Sequence, residues 1–319
     1  MTKLAQITFC FFLLFIVVSY SYGHSRIEIF KPPEQQLYEA CAQGRIKEIE
    51  LLLLFTFVYP NCENSYGQTP FWIACYNGQT EVVKYLLKDE IVLINKANYM
   101  KQTPLYVACE KGYVEIVKLL LNDDQIEVNQ VNYDDQTPFW IACSYGHTEI
   151  VKLLLSDERV DINKENHLKN YGHYPSQKIL FEITSGTPFV IACGNGYVEI
   201  VQYILASGRE VNFSPKDKNG KPIIINEREY WGDEEERMYE NHKNQDENSV
   251  INLARNQVEK IKYRERQWGN SRDQKQIEER KRKQIEIVEL LESFERNPTE
   301  TRTKLRNQLG LPGKCFHLF

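Results

Sequence analysis

Five cysteines recur in the same local context, and a thiol can form a disulfide, bind a metal or act as a nucleophile. Cys41, Cys75, Cys109 and Cys143 are 34 residues apart, Cys193 follows 50 residues later, and each is preceded by Ala. A residue that recurs once per structural unit lies on neighbouring helices about 8–10 Å apart, whereas disulfide Cα atoms lie within about 7 Å. We therefore expect buried free thiols that act as small apolar side chains.

The other residues capable of chemistry form no recognisable site. Cys10, Cys62 and Cys315 have no metal-ligand spacing. His167 and His173 could bind a metal in principle, but no carboxylate or thiol stands at ligand spacing from them. The sequence also lacks a phosphate-binding Gly-rich loop, a Gly-x-Ser-x-Gly motif and a Cys-x-x-Cys motif. We expect no catalytic site, no cofactor and no bound metal.

Composition gives broad limits. The chain has 319 residues, of which 42% are hydrophobic, so it can bury a core as one elongated domain or two compact ones. Lys plus Arg is 39 and Asp plus Glu is 44, which gives a net charge of −5. This mild acidity does not favour nucleic acid or an anionic membrane as the partner.

The elements that must position these residues are pairs of helices. Four segments share a Thr-Pro start, an Ala-Cys pair and a closing Gly, and each precedes a run such as Glu-Ile-Val-Lys-Leu-Leu-Leu. Thr can cap a helix, Pro suits its first turn, and Gly can end it in the left-handed conformation. A first unit, Gln36 to Gly44, lacks Thr-Pro, as a terminal capping repeat can. The four Thr residues are Thr69, Thr103, Thr137 and Thr187.

This motif resembles the ankyrin repeat, with its Thr-Pro-Leu-His start, Ala-Ala core, Gly turn and Glu-Val-Val-Lys-Leu-Leu second helix. The resemblance implies an all-α helical solenoid with short β-hairpin or loop fingers, and a binding protein instead of an enzyme. His147 occupies the family's Gly-His position, which is structural. The family's first His is replaced by Trp72, Tyr106, Trp140 and Val190, and we expect apolar packing to substitute for its hydrogen bonds.

The sequence divides the chain into a leader, repeats and a charged helical C-terminal extension. A 16-residue insertion follows Asn166 and is either a tolerated surface loop or a finger that enlarges the binding face. The segments are 1–23, a signal peptide or signal anchor; 24–34, a linker; 35–222, repeats at 35–68, 69–102, 103–136, 137–186 and 187–221; 223–249, an acidic loop; 250–294, a split last repeat with a basic helical insertion; and 295–319, a C-terminal helix and tail.

The N-terminus has the composition of a secretory signal. Lys3 precedes the apolar run Ile7 to Val18, and small residues permit cleavage before His24. We therefore expect the chain in the secretory pathway, although free thiols are unusual in that oxidising compartment. Two alternatives are an uncleaved anchor, which would place the chain on a membrane, and an apolar helix packed on the solenoid of an intracellular protein.

The resemblance implies that another protein binds the concave face. We expect a monomeric scaffold or adaptor, as a secreted effector or, alternatively, a membrane-anchored scaffold. A nucleic-acid-associated regulator would use residues 255–284, which carry eleven bases including Arg280–Lys283, but five interleaved acids weaken that reading. The family pattern assigns the hairpin tips Tyr66, Tyr99, Met100, Tyr133 and Asp134, and the first-helix ends Tyr76, Asn77, Glu110, Lys111, Ser144 and Tyr145.

Overall fold

The computed structural model describes residues 31–56, 58–166, 186–213, 250–267 and 274–311. Thirteen helices lie in these ranges, in two compact units that divide between Tyr99 and Met100. The predicted leader, the 16-residue insertion and the acidic loop fall outside the described residues, apart from Gly186 at the end of the insertion. Within the described ranges, no helix is both long and apolar enough to cross a membrane.

The first unit contains two helical hairpins. Its helices are α1 (Pro33–Gln43), α2 (Ile46–Phe55), α3 (Pro70–Tyr76) and α4 (Thr80–Leu86). The hydroxyl of Thr69 accepts a hydrogen bond from the backbone N–H of Trp72, so it caps α3 as predicted. Helix α1 begins with Pro33 and has no side-chain cap, in agreement with the missing Thr-Pro of the first repeat.

The second unit continues with three hairpins of the same kind. Thr103, Thr137 and Thr187 each accept a hydrogen bond from the backbone N–H three residues later, which confirms the predicted caps. Each first helix ends at a Gly with positive φ, as at Gly146, where φ is 75°. The helices are α5 (Pro104–Lys111), α6 (Val114–Leu121), α7 (Pro138–Tyr145), α8 (Thr148–Ser156), α9 (Pro188–Asn195) and α10 (Val198–Ala206).

The five recurring cysteines lie in the core, as expected. Each is fully buried and free. Burial raises the pKa of the Cys41 thiol to about 12 and raises the pKa values of the other four. The small Ala-Cys pair lets the large core side chains Phe71, Phe139 and Phe189 pack beside it.

A recurring asparagine that was not predicted to have a role links successive loops by hydrogen bonds. Asn129 donates from Nδ2 to the carbonyl of Arg159 at 2.6 Å and accepts from the N–H of Asp161 at 2.7 Å. Asn61 and Asn163 make the equivalent pair of bonds to the loop of the following repeat. The signal was present in the sequence, because Asn recurs at these positions with a spacing of 34 residues.

The replacements of the family's first His do form hydrogen bonds, so the expected purely apolar substitution was wrong at two positions. Tyr106 donates from its hydroxyl to Oε1 of Gln136 at 2.9 Å and accepts from Nδ2 of Asn132 at 3.1 Å. Trp140 donates from Nε1 to the carbonyl of Gly186 at 2.9 Å. Both side chains therefore reach the hairpin of the next repeat. The hairpins themselves contain only the isolated bridge Asn166–Gly186 and no regular strand among the described residues.

Helices α11 (Val250–Gln267) and α12 (Gln274–Arg296) pack on the last regular hairpin. Gln284 lies against Gly196, as Tyr197 lies against Gly146 one repeat earlier. Its Nε2 donates to the carbonyl of Cys193 at 3.0 Å. From Gln284 onwards, α12 thus has the register of a second helix, and the residues before it extend the hairpin.

Helix α13 (Pro298–Gln308) lies against α10 and α12. Arg302 and Arg306 donate to the carbonyls of Leu205 and Ala206, at 3.2 and 3.0 Å, at the end of α10. These carbonyls have no partner within their own helix. The predicted C-terminal helix therefore covers the end of the last regular hairpin.

Candidate protein-binding surface

Asparagine side chains fix the shape of the hairpin tips. Oδ1 of Asn132 accepts from the backbone N–H groups of Asp134 and Gln136, both at 2.9 Å. Asn64 makes the same bonds to Tyr66 and Gln68 in the first unit. Each tip is thus a rigid turn whose two outermost residues point away from the core.

Two tips contain a non-glycine residue in the left-handed region. Lys101 has a φ of 56° and Asp135 a φ of 58°, where the first tip has Gly67 at 72°. This conformation costs an L-residue about 1–2 kcal/mol relative to the right-handed form. The sequence alone did not single out Lys101, although a Lys at the position of Gly67 was a usable signal.

In the first unit, the predicted residues Tyr66, Tyr76, Asn77 and Tyr99 are all exposed. The N–H of Tyr99 donates to the carbonyl of Tyr66 at 3.0 Å, and its ring lies against Gly67. The ring of Tyr76 stacks on that of Trp72, with centroids 5.1 Å apart. The rings of Tyr76 and Tyr99 are therefore held by contacts within the unit while each keeps an open face.

In the second unit, Met100, Lys111, Tyr133 and Tyr145 are exposed, and Glu110 and Asp134 are half-buried. The Nζ atom of Lys101 lies 4.9 Å from the centroid of the Tyr133 ring. The ring of Tyr145 stacks on His147, with centroids 6.0 Å apart. Nε2 of His147 donates to the carbonyl of Glu110 at 3.0 Å, so this histidine joins two repeats, as its predicted structural role requires.

The hydroxyl of Tyr145 stays protonated at neutral pH. Burial raises the pKa of Tyr145, and the carboxylate of Glu110 raises it further. The pKa of Tyr106 is also raised, mainly by burial and then by Glu110. Burial raises the pKa of Glu110 itself, while Lys111 lowers it. At this position the surface therefore offers a neutral hydroxyl donor on an apolar ring.

Ser144 does not belong to the exposed surface, so its predicted placement was wrong. Its exposed fraction is 2%. Its carbonyl accepts a hydrogen bond from Nδ2 of Asn195, in the next repeat, at 3.1 Å. In this repeat, the residue after the recurring cysteine is thus covered by the neighbouring hairpin. The other ten residues are exposed or half-buried, and their contact with a partner stays a prediction.

The basic run Arg280–Lys283 is interleaved with acids in space as well as in sequence. Nζ of Lys281 lies 2.8 Å from Glu265 and 3.5 Å from Glu278, and Nζ of Lys283 lies 2.7 Å from Glu279. Much of this charge is satisfied within the protein. In the described part of the chain, His, Cys, Asp and Glu side chains form no group that could hold a metal ion.

Comparison with known proteins assigns the family. A model described as Ankyrin repeats (3 copies) matches residues 37–132, 95–166 and 126–215. A search of curated proteins finds no significant match. The matched stretch covers more than half of the 319 residues and includes the capped hairpins described above. The chain therefore belongs to the ankyrin-repeat family.

Proposed function

We propose that this protein is a non-enzymatic adaptor that binds another protein through its hairpin tips and first-helix ends. Ankyrin repeats are generally protein–protein interaction modules and typically non-enzymatic scaffolds. The observation that carries the proposal is the set of tyrosines that remain exposed on rigid tips and helix ends: Tyr66, Tyr76, Tyr99, Tyr133 and Tyr145.

Tyrosine suits this role because it offers a large apolar face and a hydroxyl group at low conformational cost. Several of these rings are already held in place by Trp72, His147 or Lys101. Binding therefore immobilises few additional rotors, and more of the contact energy is left for affinity. The half-buried Glu110 and Asp134 add acceptors at the edge of the second unit's set.

The test treats the two units separately. A partner is identified by proximity labelling in the native source, purified, and titrated by calorimetry against wild type, Tyr66→Ala with Tyr99→Ala, and Tyr133→Ala with Tyr145→Ala. Hot-spot tyrosines typically contribute more than about 1 kcal/mol each, so at least one double variant should bind more than about tenfold more weakly. Tyr203→Ala, on a second helix, is the matched control. Undiminished binding by both double variants, with unchanged thermal unfolding of wild type and variants, would refute the assigned surface.

We further propose that the chain enters the secretory pathway and acts outside the cell that makes it. The support is the charge and apolar pattern from Lys3 to His24. Burial keeps the five recurring thiols protonated and protects them from oxidation, which makes them compatible with an oxidising compartment. N-terminal sequencing of the protein in the medium should begin near His24. Membrane-bound protein that retains residues 1–23 would instead be an anchored scaffold.

A further inference from the structure

The end of the second helix is apolar only in the first repeat. The two residues that follow the Leu-rich run are Leu54 and Phe55 there, and their exposed fractions are 71% and 62%. Neither is shielded by its own helix. The equivalent pairs in the later repeats are Lys88-Asp89, Asn122-Asp123, Ser156-Asp157 and Ala206-Ser207.

The loop after α4 repeats this contrast. Ile91 and Leu93 are 59% and 49% exposed. The corresponding residues of the next two loops are Gln125 with Glu127 and Arg159 with Asp161. Four residues of the first unit, Leu54, Phe55, Ile91 and Leu93, are therefore large, apolar and exposed. The equivalent positions in the second unit are mostly polar.

These side chains lie on two neighbouring segments of the first unit. Asn61 donates to the carbonyl of Ile91 at 2.7 Å and accepts from the N–H of Leu93 at 2.8 Å, which brings the segment after α2 beside the loop after α4. Tyr59 lies two residues before Asn61 and is exposed. Leu51 lies one turn before Leu54 and Phe55 on α2 and is exposed as well. We call the exposed surface of these segments the apolar end; its residues are Leu51, Leu54, Phe55, Tyr59, Ile91 and Leu93.

The apolar end has the area of a protein interface. A side chain of this kind presents roughly 150–200 Å² when fully exposed, so the fractions of 49–71% leave on the order of 500–700 Å² in total. Monomeric proteins rarely expose a larger apolar patch. Two such faces together would bury about 1,000–1,400 Å², at the low end of the range of stable dimers.

The terminal hairpin of the second unit, unlike the apolar end, is covered by a helix. Helix α13 covers it, and Arg302 and Arg306 bind its last carbonyls. A solenoid requires a polar outer face on its terminal repeats. Within the described residues, the first repeat has no covering helix of this kind and presents leucines.

We infer that the apolar end is a twofold interface between two copies of this chain. Because α13 closes the other terminal hairpin, the copies associate through the same face, which gives a closed dimer and not a filament. The exposed Lys88 and Glu90 next to Ile91 give the rim both signs of charge, so a copy related by the twofold axis meets no uniform repulsion. This proposal departs from the monomer expected from the sequence, which the sedimentation experiment below tests.

Sedimentation equilibrium of the full chain as purified, with its mass and N-terminus determined by mass spectrometry, tests this inference. Wild type should sediment at twice its chain mass in the low micromolar range. Leu54→Lys with Phe55→Asp installs the pair that the second repeat carries, and should weaken dimerisation about a hundredfold or more through buried, uncompensated charge. Ile285→Lys, at an exposed apolar position of α12, should leave the dimer intact.

A second variant keeps the test decisive if the first unfolds. Ile91→Gln with Leu93→Glu installs the residues of the third repeat and should also give a monomer with a native circular dichroism spectrum. A wild type that stays monomeric at about 100 µM overturns the inference, whether α2 is then found covered by residues 7–18, by lipid vesicles or by another protein. A dimer that survives in both folded variants overturns it equally. These variants leave the tip tyrosines unchanged. Binding of the adaptor's partner can therefore be measured separately, and the two proposals can fail independently.

Discussion

A regular hairpin and the last hairpin of the second unit differ in the length of their helices. Helices α7 and α8 have eight and nine residues and are joined through Gly146 in the left-handed conformation. Helices α11 and α12 have 18 and 23 residues, because each extends beyond the length of a regular repeat helix. The last hairpin therefore continues past the end of the stack as an arm, residues 258–267 and 274–283.

Both hairpins retain one contact. In the regular repeat, His147 donates to the carbonyl of Glu110, one residue after the buried cysteine of the preceding repeat. In the last repeat, Gln284 occupies the corresponding place and donates to the carbonyl of Cys193. A side chain that reaches back to the preceding first helix is therefore common to both, whereas the length of the helices is not.

The largest expected difference is in the loss of stability caused by two Ile→Ala substitutions, one in a regular hairpin and one in the arm. Ile150→Ala removes a fully buried side chain from α8 and should cost about 4 kcal/mol. Ile261 lies seven residues, about 10 Å, beyond Ala254 in the part of α11 that extends past the length of a regular helix. Ile261→Ala should cost about 2 kcal/mol or less, because the arm can open locally. Urea denaturation of both variants measures the contrast, and equal losses would show that the arm is part of the core.

The next effect concerns the contact that both hairpins share. Gln284 is fully buried, and Gln284→Leu removes its donor to the carbonyl of Cys193. Loss of a buried hydrogen bond costs about 1–3 kcal/mol. Hydrogen exchange of α11 and α12 should rise together with the loss of stability. Gln202→Leu, whose amide reaches Glu286 only at 3.5 Å, is the control and should change neither. If hydrogen exchange of α11 and α12 is unaltered in the Gln284 variant, the hydrogen bond to the carbonyl of Cys193 does not hold these helices in place.

The regular hairpins were predictable from the sequence, whereas the finer contacts were not. The Thr caps, the left-handed glycines and the buried cysteines follow from local rules that recur every 34 residues. The hydrogen bonds of Tyr106 and the burial of Ser144 depend on how one repeat faces the next, which no single segment specifies. The apolar end could have been found, because Leu54 and Phe55 break a polar pattern visible in the aligned repeats.

A smaller effect of opposite sign is expected at the regular tips. Lys101→Gly relieves a positive φ and should stabilise the protein by up to about 1 kcal/mol, since glycine's extra entropy in the unfolded chain offsets part of the gain. The same change removes the ammonium group that lies over Tyr133 and should increase the solvent exposure of that ring. Thermal unfolding and tyrosine fluorescence measure the two effects. Lys84→Gly, inside α4, is the control and should destabilise.

The smallest effect belongs to the exposed ion pair that joins the two helices of the arm. The hydrogen bond from Lys281 lowers the pKa of Glu265, and Glu265 raises the pKa of Lys281, so the pair contributes fully above the unfolded pKa of Glu, about 4.3, and the contribution is lost as the pH falls through the lowered folded pKa. Glu265→Gln should speed hydrogen exchange in the arm slightly at low salt and not at about 1 M salt, where the Debye length is about 3 Å. Glu279→Gln, whose partner Lys283 lies on the same helix, should leave exchange in α11 unchanged. A salt-independent effect of Glu265→Gln would mean that packing, and not the charge pair, holds the arm together.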